Sequence, residues 1–163
     1  MIPIFLCGFM GCGKTTVGRI AAEKTGRAFI DLDEYIEQSA GMTIPEIFEK
    51  YGEKHFRQLE TEALKLLSHS YSVIATGGGA LLDGINVCIA SKNGLVIFID
   101  TPFEMCYDRI CDDPHRPIAA SSTKEQLKAR FDDRYPKYKA NSAVKISGEG
   151  TPDEIADRIL EVI

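Results

Sequence analysis

The chain has 163 residues, 19 Lys plus Arg against 24 Asp plus Glu, and a formal net charge of −5. That length suits one domain, and the acidic balance excludes a broad nucleic-acid-binding face, which needs a basic surface. Hydrophobic residues at 44% and charged residues at 26% exclude a disordered or fibrous chain, and no apolar run nears the ~18 residues of a membrane span.

Met1-Ile2-Pro3-Ile4-Phe5-Leu6 lacks the basic region of a signal peptide and enters a strand-like run at once, so a cytoplasmic protein with no membrane partner is expected. Apolar runs at 2–7, 28–32, 72–75, 95–99 and 143–146 predict strands. Between and after them, helical spacing covers 14–25, 33–39, 44–51, 53–69, 86–92, 103–111, 124–138 and 152–162. This alternation predicts an α/β fold with a largely parallel sheet. Pro102 and Pro152 sit near helix starts, and Thr123 and Thr151 are placed to cap the last two helices. No repeat or linker divides the chain, so 1–163 reads as one domain, and the stretch 111–122 is loop-like. Cys7, Cys12, Cys88, Cys106 and Cys111 are odd in number and contain no C-x-x-C pair, which fits reduced thiols. His55, His69 and His115 form no i, i+4 pair, so zinc is not expected.

Gly8-Phe9-Met10-Gly11-Cys12-Gly13-Lys14-Thr15-Thr16 is a full G-x-x-x-x-G-K-[ST] phosphate loop between a strand and a helix. Glycines let the backbone N–H groups of Gly11, Cys12 and Gly13 and the following helix N-terminus surround an anion. Lys14 is expected to reach the β- and γ-phosphates, Thr15 to ligate Mg²⁺ directly, and Thr16 to donate to the α-phosphate. Cys12 reads as a passive loop thiol. A phosphate loop implies a nucleotide without naming an acceptor.

Residues for the acceptor lie at later strand ends. Phe29-Ile30-Asp31-Leu32-Asp33-Glu34 places Asp31 and Asp33 past the second strand, where alternation would turn both toward one site. Asp31 is a candidate for Mg²⁺ through water and Asp33 for a substrate hydroxyl, while one of the two could instead cap the helix beginning at Glu34. Arg57 and Glu60 are i, i+3 neighbours: an ordinary ion pair, or a fork held ready for a carboxylate. Gly77-Gly78-Gly79 closes the third strand and allows close approach of a ligand. Asp100 reads as a strand-end or capping residue.

The loop Gly8 to Thr16, Asp31 with Asp33, G-E-x-x-F-R-x-x-E from Gly52 to Glu60, Gly77-Gly78-Gly79, Arg116-Pro117 and Arg134-x-Pro136-x-Tyr138 occur together in an order and spacing that resemble the shikimate kinase family from end to end. The resemblance implies a three-layer P-loop kinase fold of the nucleoside monophosphate kinase type, with a five-stranded parallel sheet of order 2-3-1-4-5 flanked by helices. It implies phosphorylation of the 3-hydroxyl of shikimate by ATP with Mg²⁺, and a monomer binding only those small molecules. A helical region at 33–61 would hold shikimate and a lid at 111–122 would close over the phosphates.

By the same resemblance Lys14, Asp33 and Arg116 are the catalytic residues, with Asp33 the candidate base. Asp33, Arg57, Arg134 and the backbone of Gly78 bind shikimate. Arg109 packs on adenine, and Thr151, in the loop 147–151, contacts the nucleotide together with Arg116 and the phosphate loop. The chain departs from the family pattern at Ile118, at Cys12 and at Lys139-Ala140-Asn141-Ser142. Two other readings share the phosphate loop: a gluconate or nucleoside monophosphate kinase, and an ATP-binding regulatory module without transfer. The first lacks the combined acceptor motifs, and the second should lack Asp33, Arg57 or Arg134, all three of which this chain keeps.

Overall fold

A computed structural model of the chain describes residues 2–111, 113, 119 and 121–163. Arg116 and most of the expected lid at 111–122 lie outside the described residues.

Five parallel strands, β1 (Ile4–Cys7), β2 (Ala28–Asp31), β3 (Ser72–Ala75), β4 (Leu95–Asp100) and β5 (Val144–Ser147), form one sheet in the order β2-β3-β1-β4-β5. Burial explains the order. Every residue of β1 and β3 is buried, as in strands covered on both faces, whereas β2 and β5 at the edges are only partly covered.

Eight helices are described: α1 (Lys14–Thr25), α2 (Leu32–Ala40), α3 (Ile44–Tyr51), α4 (Glu53–Leu67), α5 (Gly84–Asn93), α6 (Phe103–Ile110), α7 (Lys124–Asn141) and α8 (Pro152–Leu160). Alternation along β1 shows how they cover the sheet. Leu6 faces α1, where a Cβ on Gly18 would fall 3.1 Å from it, and Phe5 faces the other way, against the end of α5 at Gly94. Gly18 also lets α1 approach β2, since its Cβ would come within 2.7 Å of Phe29. On the opposite face, Phe98 of β4 holds Tyr135 and Tyr138 of α7 at ring separations of 5.5 and 5.6 Å.

The expected caps form. Thr123 accepts from the N–H of Gln126 and Thr151 from that of Glu154, each completing a reciprocal capping box. Several boundaries differ from those expected, and three of them bear on the site. β2 stops at Asp31, and Leu32 begins α2. A 3₁₀ turn at Ala80–Leu82 precedes α5, which starts at Gly84 with Asp83 as its cap. Helix α7 runs through Pro136 to Asn141 rather than ending at Tyr138. No helix among the described residues is long and apolar enough to cross a membrane.

Candidate active site

Because all strands run parallel, the segments leaving their C-terminal ends meet at one edge, where open α/β sheets bind ligands. The loop after β1 is shaped by glycines at positive φ: Gly8 at 149°, Gly11 at 79° and Gly13 at 98°. Side chains would also collide there, since a Cβ on Gly8 would lie 2.9 Å from the Ile99 carbonyl and one on Gly11 2.8 Å from that of Cys106. Three side chains brace this loop. Lys14 Nζ donates to the carbonyls of Gly8 (2.7 Å) and Phe9 (3.1 Å), Thr101 Oγ1 to that of Cys12 (3.1 Å), and Arg109 to that of Gly11 (2.9 Å). Cys12 is buried, with Sγ 3.6 Å from Lys14 Nζ. Helix α1 has no side-chain cap and no acidic residue in its first turn, so its N-terminal N–H groups and dipole favour an anion. Thr16, in that turn, is exposed.

Thr15 Oγ1 donates to Asp31 Oδ2 at 2.9 Å, which joins the loop to the end of β2. The other oxygen of Asp31 accepts from the N–H groups of Asp33 and Glu34, so Asp31, not Asp33, is the cap of α2. The expected strand alternation of the two aspartates therefore does not occur, because Asp33 lies on the helix. They remain electrostatic neighbours: burial first, then the charge of Asp31, raises the Asp33 carboxyl to about 6, against lowering by Lys14 and Arg57.

Arg57 on α4 donates to Glu60 at 3.0 Å and lies 3.5 Å from Glu53. This is not an ordinary exposed pair, because Glu60 is 1% exposed, and burial raises its pKa in spite of the guanidinium.

The three glycines after β3 bring these groups together. A Cβ on Gly77 would fall 2.9 Å from Asp33 Oδ1, one on Gly78 3.2 Å from an Arg134 nitrogen, and one on Gly79 2.8 Å from an Arg57 nitrogen. Successive residues of one loop thus face a carboxylate and two guanidiniums from α2, α7 and α4, so closely that a side chain on the loop would press on them.

Other expected residues are placed as follows. Thr151 is exposed and serves as the cap of α8. Its loop sits against the phosphate loop's brace, because a Cβ on Gly148 would overlap Thr101 Oγ1. Asp100 is a strand-end residue and not a cap: it accepts from Tyr135 (2.9 Å) and lies 3.2 Å from Lys145. One participant was assigned no role in the sequence reading. Tyr138 donates to the Gly78 carbonyl at 2.6 Å, and its signal was its place one helical turn beyond Arg134. Among the described residues no three His, Cys, Asp or Glu side chains form a metal site. Thr15 and Asp31 offer hard oxygen donors side by side, the donor set of a Mg²⁺ that takes most of its other ligands from phosphates and water.

A five-stranded 2-3-1-4-5 sheet with a glycine-shaped phosphate loop at its carboxyl edge defines a P-loop kinase. A shikimate kinase family model matches residues 10–163. The chain is 41% identical over 162 residues to the shikimate kinase of Persephonella marina, covering 98% of each, and 43% identical over 138 residues to that of Staphylococcus aureus strain JH9, covering 83% of this chain and 78% of the relative. Among solved structures it resembles the Acinetobacter baumannii shikimate kinase in complex with shikimate, with TM-score 0.91, 39% identity and coverage of 99% and 92%. The Aquifex aeolicus shikimate kinase gives TM-score 0.85 and 38% identity, covering 98% and 94%. The chain belongs to the shikimate kinase family.

Proposed function

We propose that this protein transfers the γ-phosphoryl group of ATP to the 3-hydroxyl of shikimate, giving ADP and shikimate 3-phosphate. The observation that carries the reading is the glycine triplet facing Asp33, Arg134 and Arg57 in turn: two guanidiniums suit a carboxylate, and a carboxylate suits a hydroxyl. The solved structure of the Acinetobacter baumannii relative in complex with shikimate supports the same acceptor.

In this reading the N–H groups of Gly11, Cys12 and Gly13 cradle the phosphates, with Thr16 adding a hydroxyl at the α-phosphate. Lys14 leaves the loop carbonyls to neutralise charge on the β- and γ-phosphates. Arg109 and Thr151 flank the adenine, and Arg116, matched only in sequence, closes over the phosphates from the 111–122 lid. Thr15 would hold Mg²⁺ directly and Asp31 through water, and the ion would supply charge neutralisation on the β- and γ-oxygens. Arg57, Arg134 and the Gly78 N–H hold the shikimate carboxylate through charge-assisted bonds worth roughly 1.5–3 kcal/mol each. With its pKa near 6, Asp33 is ionised at neutral pH and accepts a hydrogen bond from the reacting hydroxyl, which it orients toward the γ-phosphorus. The helical region at 33–61 carries the acceptor side, and 1–163 acts as one domain, working as a cytoplasmic monomer on these two substrates.

A coupled ADP-release assay with Mg²⁺ and ATP tests the reading. Shikimate should drive turnover while gluconate, quinate and nucleoside monophosphates do not. Folded protein without shikimate-dependent ADP release overturns it.

A further inference from the structure

We propose that Tyr138 is a positioning residue for the carboxylate end of the acceptor site, acting through the carbonyl of Gly78. The inference rests on the acceptor reading above and extends it to a residue that touches no substrate.

Every carbonyl from Gly77 to Leu81 is taken. Gly77 accepts from the N–H of Ala80 and Gly79 from that of Leu82, each at 3.2 Å. The remaining three are held by side chains: Gly78 by the Tyr138 hydroxyl, Ala80 by the Asn86 amide at 3.0 Å and Leu81 by the Asn141 amide at 2.9 Å. A peptide N–H points opposite its own C=O in one rigid plane. The bond to Gly77 therefore aims the Gly78 N–H, and the phenol aims the Gly79 N–H. Gly78 is thus fixed on both sides, by the bond to the Gly77 carbonyl before it and by the phenol on its own carbonyl, and its N–H is held in place for an incoming carboxylate.

Tyr138 is built for this role. It is 2% exposed, its ring lies against Phe98, and burial raises the phenol to about 12, so it remains a donor across the working pH range. Arg134 lies beside the hydroxyl, one helical turn earlier on α7. One helix thus carries both a guanidinium for the carboxylate and the donor that orients the facing backbone, so their spacing is set by α7 itself. Such preorganisation lowers the cost of ordering the site on binding.

Tyr138→Phe removes the hydroxyl and keeps the ring. The KM for shikimate should rise about tenfold, as for loss of one preorganising contact, with kcat and the KM for ATP within about twofold. For the shikimate analogue with a hydroxymethyl group in place of the carboxylate, wild type and Tyr138→Phe should show the same KM. The proposal is overturned by an unchanged KM in folded Tyr138→Phe, by an equal rise for both acceptors, or by a Tyr138→Phe protein that no longer folds. A wild-type enzyme silent with shikimate overturns the functional reading as well, whereas an active wild type beside an unchanged variant overturns only the role of Tyr138.

Discussion

Replacing Asp33 by Asn should stabilise the ligand-free protein at pH 8 while impairing its turnover. In the fold the carboxyl is pushed up from its ordinary 3.8 to about 6, chiefly because burial disfavours its charge and Asp31 adds a like charge. The folded state therefore binds the proton more tightly than the unfolded chain, and stability falls as pH rises through the window from about 4 to 6. Above that window the ionised group costs about 3 kcal/mol, taking 1.36 kcal/mol per pKa unit, and near pH 4 it costs only about 0.5 kcal/mol. Asparagine carries no charge and escapes this penalty. At roughly 2–4 °C per kcal/mol for a chain of this size, the variant should melt roughly 6–12 °C higher at pH 8 and roughly 1–2 °C higher at pH 4. Thermal denaturation followed by circular dichroism at the two pH values reads the difference directly. Equal melting temperatures at pH 8, or the same gain at both pH values, would refute the claim that Asp33 is a strained carboxylate held for function.

The same titration should appear in acceptor binding: the affinity of the enzyme for shikimate, measured calorimetrically without Mg²⁺ or ATP, should weaken below pH 6 as Asp33 takes up its proton, and an affinity unchanged down to pH 5 contradicts this. The glycine triplet should divide by position. Gly79→Ala pushes on the Arg57 guanidinium and should raise the KM for shikimate about tenfold or more with the KM for ATP unchanged, whereas Gly77→Ala displaces Asp33 and should act mainly on kcat; identical steady-state signatures for the two would show that the loop acts as a whole. Glu60→Ala strips Arg57 of its buried partner and should destabilise the protein by about 1–3 kcal/mol in urea denaturation while raising the KM for shikimate. Loss of neither would return the pair to an ordinary surface contact.

Much of the edge-forming architecture was readable because its signals are local. The buried strands are short apolar runs, the phosphate loop carries its glycines at fixed spacing, and Thr123 and Thr151 stand three residues before the Gln and Glu that complete their boxes. Asp31 and Asp33 were misplaced for a physical reason: Leu32 extends the apolar run of β2 by pattern, but its burial belongs to a helix, and the side chain of Asp31 starts that helix by accepting two N–H groups. Glu60 was half legible. It shares the inward stripe Phe56, Glu60, Ala63, Leu64 and Leu67 on α4, so helical periodicity already placed it inside, although its i+3 spacing from Arg57 alone suggested a solvated pair. The bonds from Tyr138 to Gly78 and from Asn141 to Leu81 each span 60 residues, and no local pattern encodes such contacts. The convergence of three side chains on three glycines is likewise a product of the strand order, which a parallel sheet creates only once it is assembled.

The most direct test of the central claim is identification of the product by phosphorus NMR, with ATP, Mg²⁺ and shikimate incubated with the wild-type enzyme and with Asp33→Asn. The account predicts one new phosphomonoester at the 3-oxygen of shikimate, formed one for one with ADP by the wild type and strongly slowed in the variant. ADP accumulating without that ester, or an ester formed equally well by Asp33→Asn, would contradict it.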